Sequence, residues 1–404
     1  MLLSQEEISS MSVGEQKRYQ LQLQIICLLY QSGVMTAAAL SKKLNLSLPT
    51  IRGLLEGLMG ASIVLQVGDS CKSGRKPFNY QLSESAFYVF VVEVGHSHSR
   101  CAIINCLNQL VGEIQVLPVH MDDPDFESLF TQAFQQMAYV SGVDNKRVSA
   151  VGISMPGLID SAKGVNHTIG NEAKRDVAGR LKKVFKKPVF VENDARMNAL
   201  GELVFGMARG KQNVMVVNWN DGLGLGIVVD GRIISGSDGF AGEFSHIRIV
   251  RNGELCQCGK CGCLQTIASA NYLLTLAKDA IAQNHTSHLT AQFHNCLNEL
   301  TVPAIIEMAQ RGDELSLSLL RQVSENLAWG LSILIQLNNP ELIVINGPLA
   351  KAGELIKMPL LLALNQYCLR DISKQVSIEI SSHDDGYGLS GVAVMIFNKM
   401  FSVS

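Results

Sequence analysis

The sequence lacks any run of about 18 apolar residues, the length that a membrane-spanning helix requires. Its N-terminus, MLLSQEEISSMSVGEQ, carries acids where a secretory signal peptide needs basic residues and an apolar core. The formal net charge is only −2, which excludes a uniformly basic nucleic-acid coat. With few prolines, 47% hydrophobic and 17% charged residues, the composition is that of a globular rather than a disordered chain. We expect a cytoplasmic protein without membrane association, built from two or three domains at roughly 150 residues each.

Cysteine is unevenly distributed along the chain. Four of the ten cysteines lie within the segment CQCGKCGC, at Cys256, Cys258, Cys261 and Cys263, and the other six are scattered. In a reducing compartment, such clustering favours a bound metal over disulfides. The scarcity of cysteine elsewhere and the length of the chain exclude a small scaffold that disulfides hold together.

The first 82 residues have the pattern of a winged helix-turn-helix. Thr36 and Ser47 are in place to cap the second and third helices, and Pro49 suits the first turn of the third. Two strands follow around the loop GDSCKSGRKP, which would form the wing. The pattern predicts helices over residues 17–31, 37–44 and about 47–59, then strands over 63–67 and 78–82.

The third helix would bury Ile51, Leu54, Leu55 and Leu58 and turn its polar positions outward. Residues 1–82 carry eight Lys and Arg against five Asp and Glu, a net charge of +3, which leaves −5 for the rest of the chain. This positive end favours DNA binding, although a small helical interaction module with solvated charges is the alternative. The candidate DNA-binding residues are Ser47, Thr50, Arg52, Glu56, Lys72, Arg75 and Lys76. Gly53 and Gly57 also face outward, where they would either permit close approach of the backbone to DNA or only weaken the helix.

From about residue 88 the pattern changes to antiparallel strands followed by alternating helices and strands, which indicates an α/β layer structure. A second, similar set of strands begins near residue 214 and includes a hairpin turn at Asp230 and Gly231. Two similar lobes are implied, and ligands of such pairs usually lie in the cleft between them. The predicted domains are a winged helix-turn-helix over 1–82, a first lobe over 83–194 completed by a C-terminal helix over 386–404, and a second lobe over 195–385.

Several segments of this second part, taken in order, resemble the ROK family of sugar kinases and sugar-responsive repressors of the NagC/Mlc/XylR type. They are MPGLID, VENDARMNALGE, GFAGEFSHIRI, CQCGKCGCLQTIAS and NNPELIVINGP. With the winged-helix segment that ends in GRKP, the resemblance runs from about residue 17 to the end. It implies an N-terminal winged helix-turn-helix followed by a two-lobed, actin/hexokinase-like (ribonuclease-H-like) domain.

The resemblance also implies a structural zinc site. Its ligands would be His246, Cys256, Cys258 and Cys263, because three thiolates and one imidazole make the closed tetrahedral set typical of structural zinc. An all-cysteine site that uses Cys261 and leaves His246 free is the competing assignment.

The same resemblance implies a sugar or sugar-phosphate effector bound between the lobes. Hydroxyl-rich ligands need several charged or amide side chains that accept and donate hydrogen bonds. One implied position is usually Glu in the family but is Gln265 here, so the amide keeps its hydrogen-bonding capacity and loses the charge. The implied effector-binding residues are Asn193, Asp194, Glu243, His246, Gln265 and, as a weaker candidate, Asn171.

The alternative function is that of an ATP-dependent, glucokinase-like sugar kinase, in which Asp194 would be the general base. The phosphate loops of family kinases are degenerate in this sequence. His96 stands where the first loop has Gly, Asp221 would place a carboxylate beside phosphate oxygens, and Asn346 precedes a single glycine in the adenosine-side motif. We therefore expect no ATP binding and no enzyme activity, and instead a homodimeric or homotetrameric repressor of carbohydrate genes that binds operator DNA.

Overall fold

The computed structural model describes residues 8–68, 78–96, 98–381, 383 and 387–401. The helices are α1 (Val13–Ser32), α2 (Ala37–Leu44), α3 (Leu48–Gly60), α4 (Phe126–Val140), α5 (Val177–Phe185), α6 (Asp194–Phe205), α7 (Gln265–Ala268), α8 (Ala270–Ala282), α9 (His288–Phe293), α10 (Val302–Gln310), α11 (Glu314–Asn338), α12 (Glu354–Tyr367), α13 (Arg370–Ser373) and α14 (Gly388–Phe401).

The strands are β1 (Met35–Thr36), β2 (Val64–Val67), β3 (Asn79–Leu82), β4 (Tyr88–Val94), β5 (Ser99–Asn105), β6 (Leu110–Leu117), β7 (Val148–Met155), β8 (Ile159–Asp160), β9 (Val165–Asn166), β10 (Val189–Asn193), β11 (Val214–Trp219), β12 (Leu223–Val229), β13 (Arg232–Ile233), β14 (Leu342–Asn346) and β15 (Ser377–Ile380).

The chain forms two compact units. Unit 1 contains residues 1–155, 163–192 and 392–404, and unit 2 contains residues 156–162 and 193–391. Unit 1 thus contains the N-terminal segment together with the first sheet of the α/β part. The three-domain division predicted above remains a prediction.

The N-terminal segment of unit 1 folds as a winged helix-turn-helix. Helices α1, α2 and α3 pack with a three-stranded sheet in the order β1-β3-β2, in which both neighbouring pairs are antiparallel. The side chains of Thr36 and Ser47 accept hydrogen bonds at the N-termini of α2 and α3, as predicted. Ile51, Leu54, Leu55 and Leu58 of α3 are at most 5% exposed, which confirms the predicted buried face.

The remainder of unit 1 is built on a five-stranded sheet in the order β10-β7-β4-β5-β6. Strand β4 pairs antiparallel with β5 and parallel with β7. The last helix packs closely on this sheet, because a Cβ atom at Gly152 would lie 2.4 Å from Ile396. Its end contacts the N-terminal segment through Tyr30, whose ring is tilted against Phe397 and edge-on to Phe401 and whose hydroxyl donates a 3.0 Å hydrogen bond to Asn108.

Unit 2 contains the second five-stranded sheet, in the order β13-β12-β11-β14-β15. Strand β11 pairs antiparallel with β12 and parallel with β14, so the prediction of an α/β structure with two similar sheets is confirmed. Helix α6 lies directly on β12, because a Cβ atom at Gly226 would be 2.2 Å from that of Ala199. A Cβ atom at Gly224 would likewise be 2.8 Å from that of Ala195, so the first turn of α6 also lies against this strand. No helix in the described part of the chain is long and apolar enough to cross a membrane.

Candidate functional site

A cluster of three cysteines and one histidine lies on the loop that follows β13 in unit 2. One ligand atom from each of His246, Cys256, Cys258 and Cys263 falls within 4.8 Å of the other three. The Cys256 Sγ and His246 Nδ1 atoms are 3.6 Å apart, and the Cys258 and Cys263 Sγ atoms are 3.5 Å apart. This side-chain cluster can hold a metal ion.

Backbone turns bring these four side chains together. Gly262 adopts a positive φ of 79°, and a Cβ atom there would lie 1.7 Å from the Val250 carbonyl oxygen, so only glycine fits. The neighbouring Cys261 forms a backbone bridge with Leu255, is exposed, and is not a member of the cluster. Of the two assignments left open above, the geometry therefore matches the one with His246.

The electrostatics of the cluster suit a bound cation. Burial, and then the neighbouring thiols of Cys258 and Cys256, raise the pKa of Cys263 to about 12. A thiol that resists ionisation in this way becomes a thiolate when a metal ion supplies the compensating charge. Burial and then the Lys260 charge lower the pKa of His246, which keeps its imidazole neutral and able to coordinate.

Asn193 and Asp194 stand at the junction of β10 and α6. The Asn193 side chain caps the helix, because its Oδ1 accepts hydrogen bonds from the backbone N–H groups of Ala195 and Arg196 at 3.0 and 3.2 Å. Its Nδ2 donates to the Gly157 carbonyl at 3.2 Å, which ties the loop before β8 to this helix end. Asp194 is the first residue of α6, where the helix dipole favours a negative charge.

Glu243 lies near Asp194 in unit 2, and a buried arginine lies close to both. Burial raises the pKa of Glu243, the charge of Arg196 opposes that rise, and the charge of Asp194 adds to it. Arg196 is 1% exposed and donates from Nη1 to the Gly239 carbonyl at 2.5 Å, which connects α6 to the loop that carries Glu243. The two carboxylates can accept hydrogen bonds from adjacent hydroxyl groups, and the buried Arg196 supplies a compensating positive charge.

Sequence reasoning missed Arg196. The signal in the sequence is that Arg196 lies in the first turn of α6 between two apolar residues, Ala195 and Met197. A solvent-exposed charge is not expected at such a position. The side chain is buried because the loop before Glu243 covers it, and that contact spans 43 residues. No local pattern reports a contact of that length.

The two remaining predicted effector residues have other neighbours in the structure. The Gln265 Nε2 atom donates a 3.1 Å hydrogen bond to Cys256 Sγ, so this amide lies beside the cluster of His246 and the three cysteines. Its Oε1 lies on the side of Gly222, 3.6 Å from where a Cβ atom of that residue would be. Asn171 belongs to unit 1, where its side chain caps the short helical turn at residues 172–174.

The segments predicted to correspond to the nucleotide loops of family kinases are distributed over both sheets. Asp221 is exposed at the tip of the β11–β12 hairpin, and His96 is exposed after β4. The Glu93 carboxylate forms an ion pair with Arg100 on the neighbouring strand. Asn346 is buried at the end of β14, and neither polar atom of its side chain has a hydrogen-bond partner among the described residues.

The predicted DNA-binding residues of α3 lie at its N-terminus and on its exposed face. The Ser47 Oγ accepts from the Thr50 backbone N–H at 3.3 Å and lies 2.7 Å from Thr50 Oγ1, so both side chains take part in the helix cap. Arg52 and Glu56 are exposed. The predicted wing residues Lys72, Arg75 and Lys76 lie outside the described residues.

Comparison with known proteins gives the family. The model of the ROK family matches residues 89–399, which is more than half of the chain. The chain belongs to the ROK family. Its α/β part therefore has the two-lobed, actin/hexokinase-like ROK fold, preceded here by the winged helix-turn-helix.

Relatives of this ROK chain include repressors and kinases. A xylose repressor of Caldicellulosiruptor bescii is 25% identical over 373 residues, covering 91% of this chain and 93% of the repressor. A glucokinase of Halalkalibacterium halodurans is 28% identical over 305 residues, covering 74% of this chain and 92% of the kinase. A crystal structure of a ROK transcriptional regulator, a homologue of the Escherichia coli Mlc protein, matches with a TM-score of 0.80 and 24% identity over 95% of this chain and 97% of the regulator.

Proposed function

We propose that this protein is a sequence-specific DNA-binding repressor of carbohydrate genes. A sugar or sugar phosphate would control its affinity for operator DNA. The observation that carries this proposal is the winged helix-turn-helix ahead of the ROK domain. The xylose repressor aligns with 91% of this chain, whereas the glucokinase aligns with 74%. The larger aligned share with the repressor is what we expect if this chain joins a DNA-binding head to a sugar-binding domain.

The effector would bind at the N-terminus of α6. Asp194 and Glu243 would accept hydrogen bonds from neighbouring hydroxyls, with Asn193 fixing the helix end and Asn171, His246 and Gln265 as further candidate contacts. A ligand shifts an equilibrium between two arrangements of the protein only by its difference in affinity for them. The sugar would therefore change DNA affinity only if it bound one of these arrangements more tightly than the other.

The metal cluster would hold one structural zinc ion, with His246, Cys256, Cys258 and Cys263 as ligands. A closed set of four N and S ligands leaves no open position for catalysis. The bound ion would hold the loop from residue 246 to residue 263 in one conformation. The Gln265 amide would keep its hydrogen bond to the Cys256 thiolate and so align α7 with that loop.

Loss of nucleotide chemistry supports a regulator over an enzyme. Catalysis of phosphoryl transfer depends on positioning and on positive or backbone N–H groups around the phosphates. His96 stands where family kinases have a glycine, Asp221 places a carboxylate in the second phosphate loop, and a carboxylate near a phosphate is repulsive. Asp194, the base of family kinases, would serve here only in sugar binding, and we propose that ATP is not bound.

A homodimer or homotetramer would present two heads to the two half-sites of an operator, since the symmetry of a palindromic site matches that of the protein. The protein would act in the cytoplasm, where operator DNA and sugar phosphates are found.

The test is a selection followed by titration. The full chain would be used to enrich duplexes from a random-sequence library, and their binding would be measured by fluorescence anisotropy at fixed salt with a panel of sugars and sugar phosphates. We expect a defined sequence to be enriched and one sugar to change its binding. Enrichment of no sequence, together with ATP turnover that depends on a sugar, would establish the kinase instead.

The raised pKa of Glu243 predicts how sugar affinity depends on pH. The charged carboxylate accepts hydroxyl hydrogen bonds, and burial makes it take up a proton at a higher pH than an ordinary glutamate does. On acidification, sugar affinity should therefore fall before ordinary glutamates titrate, and the loss should reverse when the pH is raised again. Calorimetric titration across this range checks it. Glu243→Gln should bind weakly with little pH dependence, and an equal fall in this variant would assign the titration to another group.

A further inference from the structure

An open groove of about 360 Å³ lies between α1 and the first turns of α3 in the N-terminal head. Its floor is apolar, from Leu21 and Leu54, and its rim carries Lys17, Arg18 and Thr50. The two positively charged side chains, Lys17 and Arg18, come from α1, a helix on which the sequence predicted no DNA-binding residue. Thr50 belongs to the N-terminal part of α3, the part that approaches base edges in helix-turn-helix proteins.

Gly57 lies against the ends of the Arg18 and Gln22 side chains of α1. A Cβ atom at Gly57 would lie 3.2 Å from Arg18 Nη2 and 3.1 Å from Gln22 Nε2. The glycine therefore leaves room for the guanidinium of α1 to lie against the surface of α3. Glycine within a helix costs about 1 kcal/mol relative to alanine. Space for the Arg18 side chain is a physical reason for a glycine at position 57. The same reason does not apply at Gly53, where a Cβ atom would meet nothing within 4 Å.

The two cations at this groove are not neutralised within the described part of the chain. No ion pair found there involves Lys17 or Arg18. The nearest acid along α1 is Glu15, whose carboxylate instead accepts hydrogen bonds from the Ser12 N–H at 2.9 Å and from its hydroxyl at 2.7 Å. Two positive charges above an apolar floor thus remain available to an anionic partner.

We infer that Arg18, with Lys17, forms a phosphate-binding subsite for the DNA backbone beside α3. This inference rests on the proposed function, because it assumes that α3 enters the major groove. Arginine suits the role because its planar guanidinium donates two parallel hydrogen bonds to phosphate oxygens. Contacts of this kind set the position of a recognition helix on the duplex and are independent of sequence. Gly57 thus leaves space beside α3 for an arginine of α1, in addition to Arg52 of α3 itself.

The test measures affinity against salt concentration for Arg18→Ala, Arg18→Lys and Lys278→Ala. Lys278 is exposed on α8 of unit 2, so its substitution removes the same charge away from the head. The probes are a labelled duplex enriched by the full chain from a random library and a scrambled duplex of the same composition. We expect Arg18→Ala to bind both duplexes about tenfold more weakly, since a phosphate contact acts on all sequences.

The salt dependence identifies the phosphate contact. Each phosphate contact contributes about 0.9 to the slope of log affinity against log salt, so Arg18→Ala should lower its magnitude by about that amount. Arg18→Lys should keep the wild-type slope, and Lys278→Ala should match the wild type throughout. An unchanged slope in Arg18→Ala, or a loss confined to the enriched duplex, would overturn the subsite. If the wild type bound the enriched and the scrambled duplex equally well, the proposed function would be wrong. That comparison uses the wild-type titrations alone, so it is independent of the salt slope of Arg18→Ala.

Discussion

Asp194→Ala and Glu243→Ala are each expected to abolish the response at the sugar concentration that saturates the wild type, while leaving DNA binding without sugar within about twofold of the wild type. A hydrogen bond to a charged group contributes about 1.5–3 kcal/mol, so the loss of either carboxylate should weaken sugar binding by about 10- to 100-fold. DNA affinity should persist because both residues lie in unit 2, whereas the head lies in unit 1. Anisotropy titrations with and without sugar measure both quantities in one experiment.

Two further variants separate charge from shape at this site. Asp194→Asn keeps the size of the side chain and part of its hydrogen-bonding capacity, so it should weaken sugar binding less than Asp194→Ala does. Asp279→Ala removes the same charge from an exposed position on α8 and should leave the response intact. If either alanine variant at Asp194 or Glu243 responded to the sugar as the wild type does, the effector site would have to lie elsewhere.

Cys263→Ala is expected to remove the bound zinc and to cause the largest loss of stability among the substitutions considered. Structural zinc binds zinc-finger peptides with about 10–16 kcal/mol, and part of that free energy stabilises the fold that carries the ligands. Cys263 is 0% exposed, and a Cβ atom at the neighbouring Gly262 would lie 1.7 Å from the Val250 carbonyl oxygen, so the loop is tightly packed around this ligand. Zinc content by atomic absorption, with thermal unfolding, measures the effect.

Cys261 provides the matched control for the zinc site. It is a cysteine of the same loop, but it is exposed and outside the cluster, so Cys261→Ala should retain one zinc per chain and near wild-type stability. His246→Ala should lose zinc as Cys263→Ala does. Loss of zinc in Cys261→Ala with retention in His246→Ala would establish the all-cysteine site instead.

The features that the sequence predicted well depend on neighbouring residues along the chain. The buried face of α3 follows from helical spacing alone, and all four predicted residues are buried. The turn at Asp230 and Gly231 follows from the need for positive φ, and both residues have it, at 51° and 70°. The capping roles of Thr36 and Ser47 are equally local.

Other features of the sites depend on contacts that no local pattern reports. Spacing could not decide between His246 and Cys261, since both lie close along the chain to the other cysteines. The backbone bridge of Cys261 to Leu255 and the exposure of Cys261 distinguish them. Arg196 and Arg18 were missed for the same reason, because each is positioned by an element distant in sequence.

The central claim is that one chain couples sugar binding to DNA binding. The most direct measurement determines two ratios: the DNA affinity with and without saturating sugar, and the sugar affinity with and without saturating duplex. Because coupling free energy is reciprocal, the account predicts that both ratios differ from one and are equal. If sugar and DNA bound with affinities that did not depend on each other, the account of a sugar-controlled repressor would be contradicted.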